Sequence, residues 1–137
     1  MSSKSYIYFG IHGEFDPDLL TAEIGVKPTM SMAKHARVPE KQLPRHSLLR
    51  FAQTYADDSA GFTDIYDLSE SVYRQLKDYK KQIASAVKVH SVEATFQVVL
   101  YFPVSEDIST PAIGFSKEVV AFIAEVGASI DIDTYRE

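Results

Sequence analysis

"FDPDLLTAEIGV" (residues 15–26) and "FSKEVVAFIAEVGA" (residues 115–128) follow one grammar. Each opens on Phe and continues with a helix-capping residue, Asp16 or Ser116, whose side-chain oxygen can accept from first-turn amides. Pro17 or Lys117 comes next. Proline is favoured there because the first helical N–H has no partner to lose. An acid follows, Asp18 or Glu118, facing the positive end of the helix dipole, then the aliphatic pair Leu19–Leu20 or Val119–Val120. Gly25 and Gly127 terminate the runs by accepting the left-handed conformation that closes a helix. The spacing predicts two short helices, the second two residues longer than the first; a duplication of the chain or the shared grammar of helix starts alone would produce the match.

Working outward, each of these helices stands between strands. Residues 5–12, "SYIYFGIH", set Ile7, Phe9 and Ile11 against Tyr6, Tyr8 and His12 in the period-two pattern of a half-buried strand. Residues 27–46 have no clean period, contain Pro28, Pro39 and Pro44, and read as a long loop of the kind that often carries function. "SLLRFAQTY" (47–55) is the second strand. From Asp67 to Lys88, Leu68, Val72, Leu76, Tyr79, Ile83 and Val87 recur every three or four residues. This predicts one amphipathic helix with Asp67 as its cap and Glu70 three residues later. "SVEATFQVVLYF" (91–102) alternates again, residues 103–114 form a loop, and "ASIDIDTY" (128–135) is a closing strand. The order is β-α-β-α-β-α-β. It predicts a ferredoxin-like α+β sandwich: a mostly antiparallel four-stranded sheet in two β-α-β halves, with an extra helix between them and helices on one face.

A chain of 137 residues with 45% hydrophobic content can bury a core as a single globular domain spanning 1–137. The absence of cysteine excludes thiol catalysis, cysteine-ligated zinc and disulfide scaffolds. No apolar run has signal-peptide length and none reaches the ~18 residues of a membrane span, so a cytoplasmic protein without membrane association is expected. The net charge of −5 argues against a nucleic-acid partner. Its distribution is uneven. Lys27, Lys34, Arg37, Lys41, Arg45 and Arg50 face only Glu40 over their span, while Asp57, Asp58, Asp64, Asp67 and Glu70 have no base among them.

The alternating aromatic strand, "FDPDLLTAEIGVKPT", the long loop, the amphipathic helix and the closing "FSKEVVAFIAEVGASIDIDTY" together resemble the bacterial family known as domain of unknown function 4279. The resemblance runs over nearly the whole chain. "FDPDLLT", "GVKPT" and "GASIDIDTY" are its most specific parts. The chain departs from the family's usual pattern in the second strand, where a Trp is common and this sequence has His46 and Ser47. The family has no established activity, so the resemblance implies the fold and a bacterial origin and carries over no catalytic residue.

Glu14, Asp16 and Asp18 are the nearest thing to a carboxylate site, but Pro17 between them and the matching Ser116 and Glu118 point to helix capping rather than cation binding. His12, His35, His46 and His90 fit no metal-ligand spacing. No G-x-S-x-G elbow, G-x-G-x-x-G or phosphate-binding loop is present, so neither a metal nor a cofactor is expected. The outward strand positions carry more information. If helices cover one face of the sheet, the other displays Tyr6, Tyr8, His12, Arg50, Glu93, Gln97, Tyr101, Asp131, Asp133 and Tyr135. That mixture suits a protein partner or a second copy of the chain. As a plain surface it would show Tyr pairs and ion pairs such as Arg50 with Glu93 or Asp131. Lys34, Arg37, Lys41 and Arg45 make the loop a candidate anion-binding segment, balanced by the acidic 57–70 stretch, while Lys77, Lys80, Lys81 and Lys88 read as the wet side of a helix. The sequence leans to a non-enzymatic binding protein of immunity or regulatory type. The alternative is a small-ligand protein or enzyme with a pocket between the sheet face and the 27–46 loop, using His12, Arg50 and Asp131 or Asp133.

Overall fold

The computed structural model describes residues 4–57, 63–104 and 112–137. Strand β1 (Tyr6–Gly13) leads into helix α1 (Pro17–Ile24), a short strand β2 (Met30–Met32), and β3 (Ser47–Tyr55). Helices α2 (Ile65–Leu76) and α3 (Lys80–His90) follow, then β4 (Glu93–Phe102), α4 (Lys117–Glu125) and β5 (Ser129–Arg136). The strands form one five-stranded sheet in the order β2-β3-β1-β4-β5. β1 pairs antiparallel with both β3 and β4, β2 pairs antiparallel with β3, and β5 runs parallel to β4 at the far edge.

The two capped helix starts form as their residues dictate. Asp16 accepts from the amides of Asp18 and Leu19, Pro17 opens α1, and Gly25 ends it in the left-handed region. Ser116 accepts from the Val119 amide at the start of α4, and Gly127 has a positive φ just beyond its end. The core lies between the helices and one face of the sheet. Ile7, Phe9 and Ile11 of β1, Phe51 of β3 and Phe96 of β4 are buried with Leu20, Val72, Ile83 and Phe122 from the four helices. The Phe9 and Tyr73 rings meet Phe122 edge-on, at centroid distances of 6.2 and 5.6 Å.

The expected α+β class and the mostly antiparallel sheet hold, but two features of the ferredoxin-like plan change. The sheet has five strands rather than four, because Met30–Met32 in the expected 27–46 loop pairs with Leu48–Arg50. Only the second half is a β-α-β crossover, with β4 and β5 parallel around α4. In the first half β1 and β3 are antiparallel neighbours, since the long segment after α1 carries the chain back before β3 begins. The remainder of that segment is ordered by its own backbone: His35 donates to Pro44, and Val38 and Leu43 bond each other across an isolated bridge.

The single helix expected over 67–88 is two helices joined by a 3-10 turn at Lys77–Tyr79. Its cap is Asp64, which accepts from the Asp67 amide at 3.1 Å; Asp67 itself lies in the first turn. Glu70 is turned elsewhere. It accepts from the Ser116 hydroxyl and lies 3.8 Å from Arg74, tying α2 to the start of α4. Asp58 and most of the expected 103–114 loop lie outside the described residues. No helix among the described residues is long and apolar enough to cross a membrane.

Candidate binding face

The face of the sheet away from the helices is built by strand alternation. Its side chains follow from the register. One row crosses all five strands as Met30, Arg50, Gly10, Thr95 and Ser129. A second sets Tyr8 beside Gln97 and Gln97 beside Asp131. A third sets Tyr55, Tyr6, Val99 and Asp133 side by side, and Tyr135 lies opposite Tyr101 at the end of β4. His12 closes the other end between Leu48 and Glu93, with Met32 beyond Leu48. The structure therefore brings Tyr6, Tyr8, His12, Arg50, Glu93, Gln97, Tyr101, Asp131, Asp133 and Tyr135 onto one surface.

Ring packing organises this surface into two aromatic clusters. Tyr6 stacks on Tyr8 at 6.2 Å and leans against Tyr55 at 5.3 Å. Tyr101 stacks on Tyr135 at 5.1 Å with the rings 22° apart. The Arg50 guanidinium sits over the Tyr8 ring, 4.4 Å from its centroid, held by the ring's quadrupole. This corrects the expected ion pairs: neither Glu93 nor Asp131 lies within ion-pair distance of Arg50, and no other carboxylate of the described residues does. Among the described residues the half-buried guanidinium pairs with no carboxylate, and its partner is the Tyr8 ring. Burial pushes the Tyr8 phenol above its ordinary pKa, with Arg50 pulling the other way and Tyr6, Asp133 and Asp131 adding to the rise.

Gly10 makes the middle of the face concave. A side chain added there would begin 3.0 Å from the Tyr8 ring, so glycine leaves both the seat for that ring and an open depression of about 400 Å³. Tyr8, His12, Leu48, Arg50, Gln97 and Asp131 surround it. Every residue lining the depression belongs to β1, β3, β4 or β5, so the expected wall from the 27–46 loop is absent and Asp133 lies outside the rim. Asp133 instead accepts from the Gln97 side-chain amide at 3.2 Å. That contact, with the position of β4 between β1 and β5, explains why Gln97 is buried where the alternation predicts a polar, open position.

The basic segment has one cation engaged with an acid of the strand-helix junction. Lys34 pairs with Glu14 at 2.9 Å, and His46 approaches the same carboxylate at 3.4 Å; Lys34 above all holds Glu14 below the usual carboxylate range. Arg37, Lys41 and Arg45 are exposed. Glu14 and Asp16 are thus engaged separately, one by Lys34 and one as a helix cap. The His46 ring lies 6.4 Å from that of His12, joining the loop's end to the rim of the face. Of the lysines assigned to the wet side of the middle helix, Lys80 pairs with Glu125 and Lys77, Lys81 and Lys88 are exposed.

Sequence reasoning missed Tyr55, Met30, Met32 and Gly10 as parts of the face. "MSM" does alternate, but three residues are too few to register as a strand, and the β-bulge between the Ile7 and Phe9 pairings shifts the parity that would have flagged Tyr55. No curated protein and no solved structure matches the chain. The profile of the family Domain of unknown function (DUF4279) matches residues 3–137, which include all five strands and the whole face, and the chain belongs to that family.

Proposed function

We propose that the protein is a recognition module whose open sheet face binds another polypeptide. The observation that carries this reading is the make-up of the face: Tyr6, Tyr8, Tyr55, Tyr101 and Tyr135 with Arg50, Met30 and Met32, held on rigid strands. Tyr, Arg and Met are the residues that interface cores favour. Ring stacking fixes the tyrosines before a partner arrives, which lowers the entropy lost on binding. Glu93, Asp131 and Asp133 on the same surface repel a phosphate backbone, so the reading favours protein over nucleic acid. A second reading is supported by Arg50, which pairs with no carboxylate among the described residues and lies beside Gly10: a small carboxylate-bearing ligand seated in the depression.

The test compares the wild type with Tyr8→Ala/Tyr101→Ala for capture and affinity of the partner in native lysate. Loss of two interface anchors predicts at least about 30-fold weaker binding, with the native circular dichroism retained and a cooperative melt that still lies above the assay temperature. Unchanged association overturns the proposal.

A further inference from the structure

The two edges of the sheet are built differently. The β2 edge is three residues long and runs into the compact 33–46 segment. The β5 edge is eight residues long, carries no Pro, Gly or Lys, has no bulge in its pairing with β4, and is exposed throughout. Ile130 and Ile132 remain 41% and 38% exposed on the helix side, and none of the described residues pairs along the outer edge. Such an edge presents unpaired backbone donors and acceptors to any strand that can lie beside it.

Charge decides which strand that is. On the open-face side β5 bears Asp131 and Asp133, and among the described residues neither carboxylate has a cation within ion-pair distance. A second copy pairing antiparallel along β5 would keep the faces aligned, so each residue would meet one of the same parity. Of the four such registers of Ser129–Arg136 with more than three residue pairs, three set Asp131 or Asp133 opposite itself or the other, and only the register centred on Thr134 avoids an acid-acid contact. Like charges directly opposite each other destabilise a sheet pair, so the edge is guarded against its own kind in those three. We infer that β5 accepts an extended segment of a partner protein with Lys or Arg at alternate positions, which continues the sheet as a sixth strand and lays its basic side chains on Asp131 and Asp133. This rests on the proposed function only in taking the partner to be a polypeptide; the surface is the outer edge of β5, which shares Asp131, Asp133 and Tyr135 with the face but lies away from the Tyr6, Tyr8 and Tyr55 cluster.

The probe is a labelled eight-residue peptide alternating Lys with Val, titrated with the full chain and read by fluorescence anisotropy. Its Glu-for-Lys counterpart and two N-methylated forms, one for each set of alternate residues, are titrated alongside. Strand pairing uses the amides of one set only, so one N-methylated form loses binding and the other keeps it. Asp131→Lys/Asp133→Lys exchanges the preference from the Lys peptide to the Glu peptide, a swing of roughly tenfold for two cross-strand charge pairs. Absence of Lys-peptide binding, equal binding of both N-methylated forms, or a wild-type dimer in which β5 is protected from hydrogen exchange overturns the inference. Tyr8→Ala retains peptide binding. Its loss there, with Asp131→Lys/Asp133→Lys unaffected, assigns the peptide to the face, which overturns edge pairing and leaves the proposed function standing.

Discussion

Tyr8 concentrates the physical chemistry of the face. Its ring lies over the space left by Gly10, stacks on Tyr6, and carries the Arg50 guanidinium, so its hydroxyl sits in a partly desolvated place among two aspartates. Burial raises the folded-state pKa, and the stability consequence has a definite sign. In the unfolded chain Tyr8 ionises at the ordinary phenol value, while the folded chain still holds the proton. The stabilisation is complete below that ordinary value and is lost as pH rises from it through the raised folded value. Tyr8→Phe removes the titration. The variant therefore loses less stability than the wild type between neutral and strongly alkaline pH, measured by denaturant midpoints, and its phenolate absorbance lacks a step that lies above the ordinary phenol value. Parallel midpoint curves for the two proteins would contradict the burial described for Tyr8. Arg50, by contrast, is held by a ring rather than by a carboxylate, and that arrangement is invisible in a one-dimensional charge pattern. Strand alternation places Arg50 on the open face, whereas only the register shows that Gly10 sits next to it and leaves room for the guanidinium to fold over Tyr8.

At the scale of elements, the helix starts separate what a sequence states from what packing decides. Asp16 and Ser116 are legible as caps because Pro17, Asp18 and Glu118 follow them directly, and both serve as caps in the fold. Asp64 is not legible in this way, since Asp67 offers the same chemistry three residues later with Glu70 behind it. Burial settles the choice: Ile65 and Leu68 are both core residues, so the helix must begin early enough to include Ile65, and Asp64 then takes the cap. Asp64→Ala should cost about 1 kcal/mol of stability in denaturant unfolding, and Asp67→Ala only a few tenths through the helix dipole. The reverse ranking would place the cap at Asp67. The break between α2 and α3 escapes periodicity for a related reason. A 3-10 turn keeps residues three apart on one side, so Leu76, Tyr79 and Ile83 continue the apolar stripe across it. The pairing of β1 with β3 is hidden too, because alternation reports which face a residue occupies and says nothing of strand direction. Thus the faces, and most residues of the open face, are legible in the sequence, while strand order, the added β2 and the direction of the first half come from tertiary contacts.

On the scale of the whole molecule, the helices and the core pack on one side of the sheet, and among the described residues no helix covers the other side and no strand pairs along the outer edge of β5. The same two aspartates belong to both. Asp133 accepts from Gln97 on the face, and together with Asp131 it sets the charge along the edge. An exposed eight-residue edge with alternating Ile is otherwise a template for joining sheet to sheet, and carboxylates on it serve the protective role that lysine or proline serves on other edges. Removing those charges while keeping side-chain shape isolates this effect. In Asp131→Asn/Asp133→Asn, the register that pairs residue 131 with 133 of a second copy, and that sets Ile132 opposite itself, loses both of its acid-acid contacts. With about 0.2–1 kcal/mol relieved per contact, association along β5 should strengthen by between about two- and thirtyfold. Sedimentation velocity over a concentration series should then show an association step shifted to lower concentration than in the wild type, and added Ile132→Lys, which brings like charges together in that register, should reverse the shift. Superimposable concentration dependence of the wild type and the double Asn variant would mean that the acidic pair is not what keeps this edge from its own copies.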